Sequence, residues 1–188
     1  MLFRSAPQAS VTVHSEGTDG NYAQKSFKVD YTGTHAVKYK VAYRVRGGKW
    51  HYVTTTNKSY TIKNLKNKGL YEIKVAGINK DGKIGAYSKV SYRYMAKVNF
   101  KAKAKKKGRV KITAKRVKGL TGYQIKYSTS KDMKNAKSVF VKTKKNLNKT
   151  LKLAKNKTYY IQVRPLLKKG GKTYVGIIES TRTVKTRK

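Results

Sequence analysis

"LKNKGLYEIKVAGINKDGK", residues 65–83, decides the fold. Leu65 stands six positions before Tyr71; Tyr71, Ile73 and Val75 then alternate with Glu72 and Lys74, and Asp81-Gly82 closes the stretch. Strict alternation marks a strand with one face buried, and an Asp-Gly pair supplies the positive φ of a tight hairpin. The stretch reads as a corner, a strand and a turn. It offers no helix and no ligand loop.

The same pattern returns. "LAKNKTYYIQV" (153–163) aligns without a gap on "LKNKGLYEIKV" (65–75), matching Leu153 to Leu65, Tyr159 to Tyr71, Ile161 to Ile73 and Val163 to Val75. Upstream, "YKVAYRV" (39–45) pairs with "YQIKYST" (123–129), four residues out of that register, so the second copy has a longer middle segment. Downstream, Gly170-Gly171 stands where Asp81-Gly82 stands, and Ser88 and Ser180 follow. A repeat of this kind signals two copies of one small domain.

Within each copy nearly every apolar run has strand periodicity: Phe27-Val29-Tyr31, Val37-Tyr39-Val41-Tyr43, Val110-Ile112-Ala114, Tyr123-Ile125-Tyr127 and Val139-Val141. No window has a convincing helical period, although "STSKDMKNAKS" (128–138) suits a short turn. The pattern predicts an all-β chain of two tandem β-sandwiches, over 10–95 and 96–188. Residues 1–9 are expected to be an unstructured lead-in. Leu2-Phe3-Arg4-Ser5 is what a common sequencing adapter would encode, so the natural N-terminus is expected to be missing.

Composition narrows the function. The chain has no Cys, which excludes disulfides and thiolate metal sites. No run approaches the length of a membrane-spanning helix, and "MLFRSAPQAS" has no apolar signal core, so no membrane insertion is expected. The net charge is +40, unevenly spread: 17 Lys and Arg stand against 5 Asp and Glu over residues 1–96, and 30 against 2 over 97–188. A lysine-rich codon bias would also enrich Glu, so it leaves the scarcity of acids unexplained.

In these residues the first copy resembles a fibronectin type III domain. Trp50, Tyr60-Thr61-Ile62, Leu65, Tyr71-Ile73-Val75, Asn79, and Gly85 with Ser88 stand where that family's motifs stand. The second copy is similar to Lys-rich type III repeats on surface proteins of low-GC Gram-positive bacteria. The resemblance implies immunoglobulin-like sandwiches, an extracellular or cell-wall location and no catalytic activity. It also assigns Leu65, Tyr71, Leu153 and Tyr159 to a structural corner in which the Tyr ring enters the core and its hydroxyl bonds nearby backbone. The chain departs from the family in lacking the Trp of the second strand, where Tyr31 and Ala114 stand, and in lacking Arg-Gly-Asp.

Candidate chemistry is sparse. Glu16, Asp19, Asp30, Glu72, Asp81, Asp132 and Glu179 form no interpretable acid/base pair; Glu72 is expected to face solvent and Asp81 to shape a turn. His14, His35 and His51 lie in separate segments without metal-ligand spacing, and no cofactor or metal is expected. Trp50 is expected to pack beneath its short strand, the alternative being a sugar-binding or aromatic-binding face.

The basic stretch "KAKAKKKGRVKITAKR" (101–116) remains. Lys101, Lys103, Lys105, Lys106, Lys107, Arg109, Lys111, Lys115 and Arg116 are the candidate contacts for a polyanion, held by neutralising its charges and releasing its counterions. The bland reading is a soluble first strand and turn. The expected role is a non-catalytic spacer and binding module, a monomer or part of a longer chain, whose partner is an anionic cell-wall polymer (teichoic acid) or an anionic glycan. The alternatives are accessory modules of a secreted hydrolase whose catalytic domain lies upstream, and nonspecific nucleic-acid binding.

Overall fold

The computed structural model describes residues 9–14, 20–143 and 145–188. Its described residues divide between two compact units, Met1–Met95 and Ala96–Lys188. Both are all-β, and each is a sandwich of two antiparallel sheets.

In the first unit, β1 (Ser10–His14), β2 (Gly20–Asn21), β3 (Ser26–Thr34) and β6 (Ser59–Ile62) form one sheet. The facing sheet runs in the order β5 (His51–Thr55), β4 (Lys38–Val45), β7 (Leu70–Ile78), β8 (Ser91–Tyr94). In the second unit, β9 (Phe100–Lys105), β10 (Arg109–Ala114) and β13 (Leu147–Lys152) form the three-stranded sheet, with β10 central. The other contains β12 (Lys137–Lys142), β11 (Gly122–Ser128) and β14 (Thr158–Lys169), with β15 (Lys172–Val175) and β16 (Thr181–Lys185) both paired to β14. The two tandem β-sandwiches expected from the repeat are thus present.

Alternation puts the expected residues inside. Phe27, Val29, Tyr31, Val41, Ile73 and Val75 of the first unit are buried, as are Val110, Ile112, Ile125, Ile161 and Val163 of the second. The exceptions follow from position. Val37 precedes β4 and is 52% exposed, while Val139 and Val141 are half-buried because β12 is an edge strand. Buried Asn79 holds the hairpin after β7: its Oδ1 accepts hydrogen bonds from the amides of Asp81 and Lys83, and Gly82 takes φ +78.

Equivalent positions are fixed by one bond in each unit. The Leu65 amide donates to the Lys25 carbonyl, and the Leu153 amide donates to the Gly108 carbonyl, each at 2.9 Å. Counting from these, Tyr31 and Ala114 are counterparts. In the first unit the ring of Tyr31 packs on Tyr39, with centroids 4.8 Å apart. In the second, Ala114 lies in register between Phe100 and Leu147, both buried, and Tyr123 is also buried. These larger side chains supply core volume around the two positions.

Most of the lead-in expected over 1–9 lies outside the described residues, as do Glu16 and Asp19; its last residue, Ala9, is described and precedes β1. Ala9 is 2% exposed, and its carbonyl oxygen lies 1.8 Å from where a Cβ on Gly85 would sit. Ala96 repeats the contact, its carbonyl 2.6 Å from the equivalent point on Gly176. A glycine lets the chain entering each sandwich seat closely against the segment that precedes the last strand. Ala9 therefore belongs to the first sandwich.

Candidate functional site

The two corners have the same connectivity and different tightness. The Lys66 amide donates to the Tyr71 hydroxyl at 2.6 Å, with Tyr71 and Leu65 buried. The Ala154 amide donates to the Tyr159 hydroxyl at 3.3 Å, with Tyr159 and Leu153 half-buried. Burial pushes the Tyr71 hydroxyl above its ordinary pKa, partly offset by the Lys66 amide. Both hydroxyls are thus bonded to backbone five residues earlier in the chain.

The outer face of β5–β4–β7–β8 departs from expectation. Glu72, expected to face solvent, is buried: it accepts from Arg44 Nε at 2.6 Å and has Arg46 Nε at 3.7 Å. Trp50, expected to pack beneath its strand, instead lies half-buried on this outer face, with the Arg44 guanidinium 4.3 Å from its ring centroid and Lys74 Nζ at 4.5 Å. Lys74 also stands 4.4 Å over Tyr87, and Lys40 stands 5.1 Å over Tyr52. Long side chains lie along the sheet here, so Ala42 and Ala76, on the same outer face by register, are fully buried beneath them. The layer is a packed interleave of rings and cations.

His51 stacks on Tyr43, and among the described residues no three His, Cys, Asp or Glu side chains gather where they could hold a metal ion. A cleft of about 410 Å³ between β1 and residues 88–91 is lined by Val11, Thr12, Val13, Ser88, Lys89, Val90 and Ser91. It contains neither a carboxylate nor a histidine.

The basic stretch falls on the outer face of β9–β10–β13. Because Val110, Ile112 and Ala114 point inward, Arg109, Lys111 and Thr113 point outward, and the antiparallel register carries their partners to the same side. Lys105, Arg109 and Lys152 stand abreast, Lys103 stands beside Lys111, and Lys101 stands beside Thr113. Six cations thus share one face. The two described acids of this unit are bonded elsewhere: Glu179 to Lys97, and Asp132 to Ser130 and Lys134.

Not every candidate joins this face. Lys115 and Arg116 follow the far end of β10, roughly 20 Å from Arg109 at about 3.3 Å per residue. Lys106 and Lys107 form the β9–β10 turn, where they acquire partners invisible in a linear reading. The Lys107 amide donates to the Lys188 carbonyl at 2.9 Å and the Gly108 amide to the Arg187 carbonyl at 3.0 Å. Lys155 packs beside Gly108. Arg187, Lys188, Lys152 and Lys155 therefore gather at the turn end, from segments distant in sequence.

The first unit treats the same face differently. Lys28 is the counterpart of Lys111, and its ammonium pairs with Asp30 at 3.0 Å. Among the described residues, His14 and Ser59 stand opposite Asp30, Thr61 stands opposite Lys28, and Thr12 pairs with Thr32.

No family model matches the chain, and no curated protein matches it. Among solved structures, the crystal structure of the chicken CNTN1 FN1–FN3 domains is similar, with 23% identity and a TM-score of 0.40 over 87% of this chain and 63% of that one. The chain thus spans less than two thirds of that structure's length. Among the described residues, no helix is long and apolar enough to cross a membrane.

Proposed function

We propose that the chain is a non-catalytic spacer and binding module of a bacterial secreted or wall-associated protein, and that the outer face of β9–β10–β13 attaches it to an anionic polymer. One observation carries this reading: a single position in the fold has been built in two ways. Among the described residues of the first unit it holds one lysine, paired with Asp30, with His14 in register opposite Asp30 and hydroxyl residues around them. In the second it holds six cations in adjacent registers and no carboxylate. Like charges directly opposite on neighbouring strands destabilise a sheet. The sandwich does not require them, as its first copy demonstrates, so binding is the better account of why they are there. An anion supplies the missing countercharge and releases its own counterions.

The test is retention of the chain on immobilised anionic wall polymer and on anionic glycan across a salt series. Retention should fall steeply with salt, and Lys103→Gln with Arg109→Gln should weaken it more than Lys40→Gln with Lys74→Gln. Equal weakening by the two pairs would remove the site from this face. Absence of retention on either polymer at about 50 mM salt, where screening is weak, would remove the function.

A further inference from the structure

The face has a repeat length, and it names a polymer. Lys101, Lys103 and Lys105 recur every second residue along β9, and Arg109 and Lys111 do so along β10. In an extended strand that spacing is roughly 6.7 Å. Two residues of polypeptide run through six backbone bonds. A phosphodiester polymer of a three-carbon alditol also runs through six backbone bonds from one phosphorus to the next, so its extended charges repeat at about the lysine spacing. A glycan with one carboxylate per disaccharide has a longer repeat and falls out of step with the lysines.

A single-stranded nucleic acid shares the six-bond repeat, and the face discriminates against it. Nonspecific strand binding draws on aromatic side chains under the bases. The outward residues here are Lys, Arg, Thr and Asn, and the nearest ring by register, Phe100, points into the core. Trp50, Tyr52 and Tyr87 lie beside other cations, on the first unit.

The strand direction also gives the track an end. Cations thicken from one in the Lys101 row to three in the Lys105–Arg109–Lys152 row, and beyond it stand Lys106, Lys107, Lys155, Arg187 and Lys188. Backbone hydrogen bonds clamp the 187–188 segment to the turn, so its charges are held at that end of the track.

Resting on the polyanion reading above, we propose that the ligand is a base-free alditol-phosphate polymer lying along β9 and β10 and running to the β9–β10 turn. The experiment measures affinity of the 188-residue chain for poly(glycerol phosphate), a singly carboxylated disaccharide polymer, a densely sulfated glycan and oligothymidylate, each at equal anion concentration, over a salt series. Poly(glycerol phosphate) should bind most tightly. Lys101→Gln with Lys103→Gln and Lys105→Gln should flatten the slope of log affinity against log salt by about 2, at roughly 0.7 per lost contact. Arg187→Gln with Lys188→Gln should flatten it by about 1.4 on the same scale. All five positions are exposed, so circular dichroism should show the variants folded.

Equal or tighter binding of oligothymidylate, sulfated glycan or the carboxylated polymer overturns the alditol-phosphate assignment and leaves the polyanion reading standing. An unchanged slope in the triple variant overturns the track, and an unchanged slope in the 187–188 variant overturns its extension to the turn. Failure to bind any of the four overturns the polyanion reading itself.

Discussion

The carboxylate of Glu72 accepts a hydrogen bond from Nε of Arg44 at 2.6 Å while Trp50 lies against the same guanidinium at 4.3 Å. Among the described residues, Glu72 is the only acid in a layer of Arg44, Arg46, Lys74, Lys40 and aromatic rings. Glu72→Gln, which keeps shape and removes charge, should destabilise the first unit by about 1.5–3 kcal/mol, the range for hydrogen bonds to charged groups. Trp50 is the only tryptophan in the chain, so its fluorescence during urea unfolding reads this unit. A midpoint equal to wild type would mean that the ring and cation layer stands without its carboxylate.

What could be read from residues alone, and what could not, divides along the two faces of each strand. Phe27, Val29 and Tyr31, or Val110 and Ile112, declare themselves because burial must alternate with the pleat. The outer face obeys no such rule. Glu72 looked solvated because its neighbours Tyr71 and Ile73 turn inward, yet Arg44 and Arg46 from another strand cover it. Lysine placement on the basic face followed from alternation too, but the arrival of Arg187 and Lys188 depends on where the last strand ends. Only the Lys107 and Gly108 amide bonds reveal that. The closeness of Ala9 to Gly85 and of Ala96 to Gly176 was equally hidden, since an Ala and a Gly carry no pattern.

Tyr31 carries a hydroxyl that is buried and has no hydrogen-bond partner among the described residues. Leaving such a group unsatisfied costs about 1–3 kcal/mol, so Tyr31→Phe should stabilise the first unit near pH 7. Burial, with Tyr39 and Asp30 adding to it, pushes the hydroxyl from 10.0 up to about 12. A folded value above the unfolded one favours the neutral form in the fold. That contribution is complete below pH 10, shrinks as the unfolded chain ionises, and is exhausted once pH passes the folded value. The gap between Tyr31→Phe and wild type, read by Trp50 fluorescence, should therefore widen from pH 8 to pH 11. A constant gap would mean that the phenol ionises equally in both states.

The two corners should respond unequally to loss of one oxygen. Tyr71→Phe removes a 2.6 Å bond inside a buried corner and leaves the Lys66 amide without that acceptor, at a cost of about 1–2 kcal/mol. Tyr159→Phe removes a 3.3 Å bond at a half-buried corner where water can replace it, and should cost less than about 1 kcal/mol. Hydrogen exchange of the two amides, Lys66 and Ala154, separates the units. Equal acceleration at both sites would contradict the difference in tightness.

The row Lys105–Arg109–Lys152 sets stability against attachment. Arg109 has a like charge opposite it on both sides, and like cross-strand pairs cost roughly 0.2–1 kcal/mol each. Lys105→Glu converts one repulsive pair into an attractive one, so the second unit should gain about 1 kcal/mol at low salt. The gain should shrink as salt is raised toward 1 M, where the screening length is about 3 Å. Retention on anionic polymer should fall in the same variant, because one contact is lost and a repulsive charge is added. Hydrogen exchange of the β10 amides reads the stability, and the salt-series column reads the attachment. A variant that is both more stable and better retained would mean that the row evolved under neither constraint.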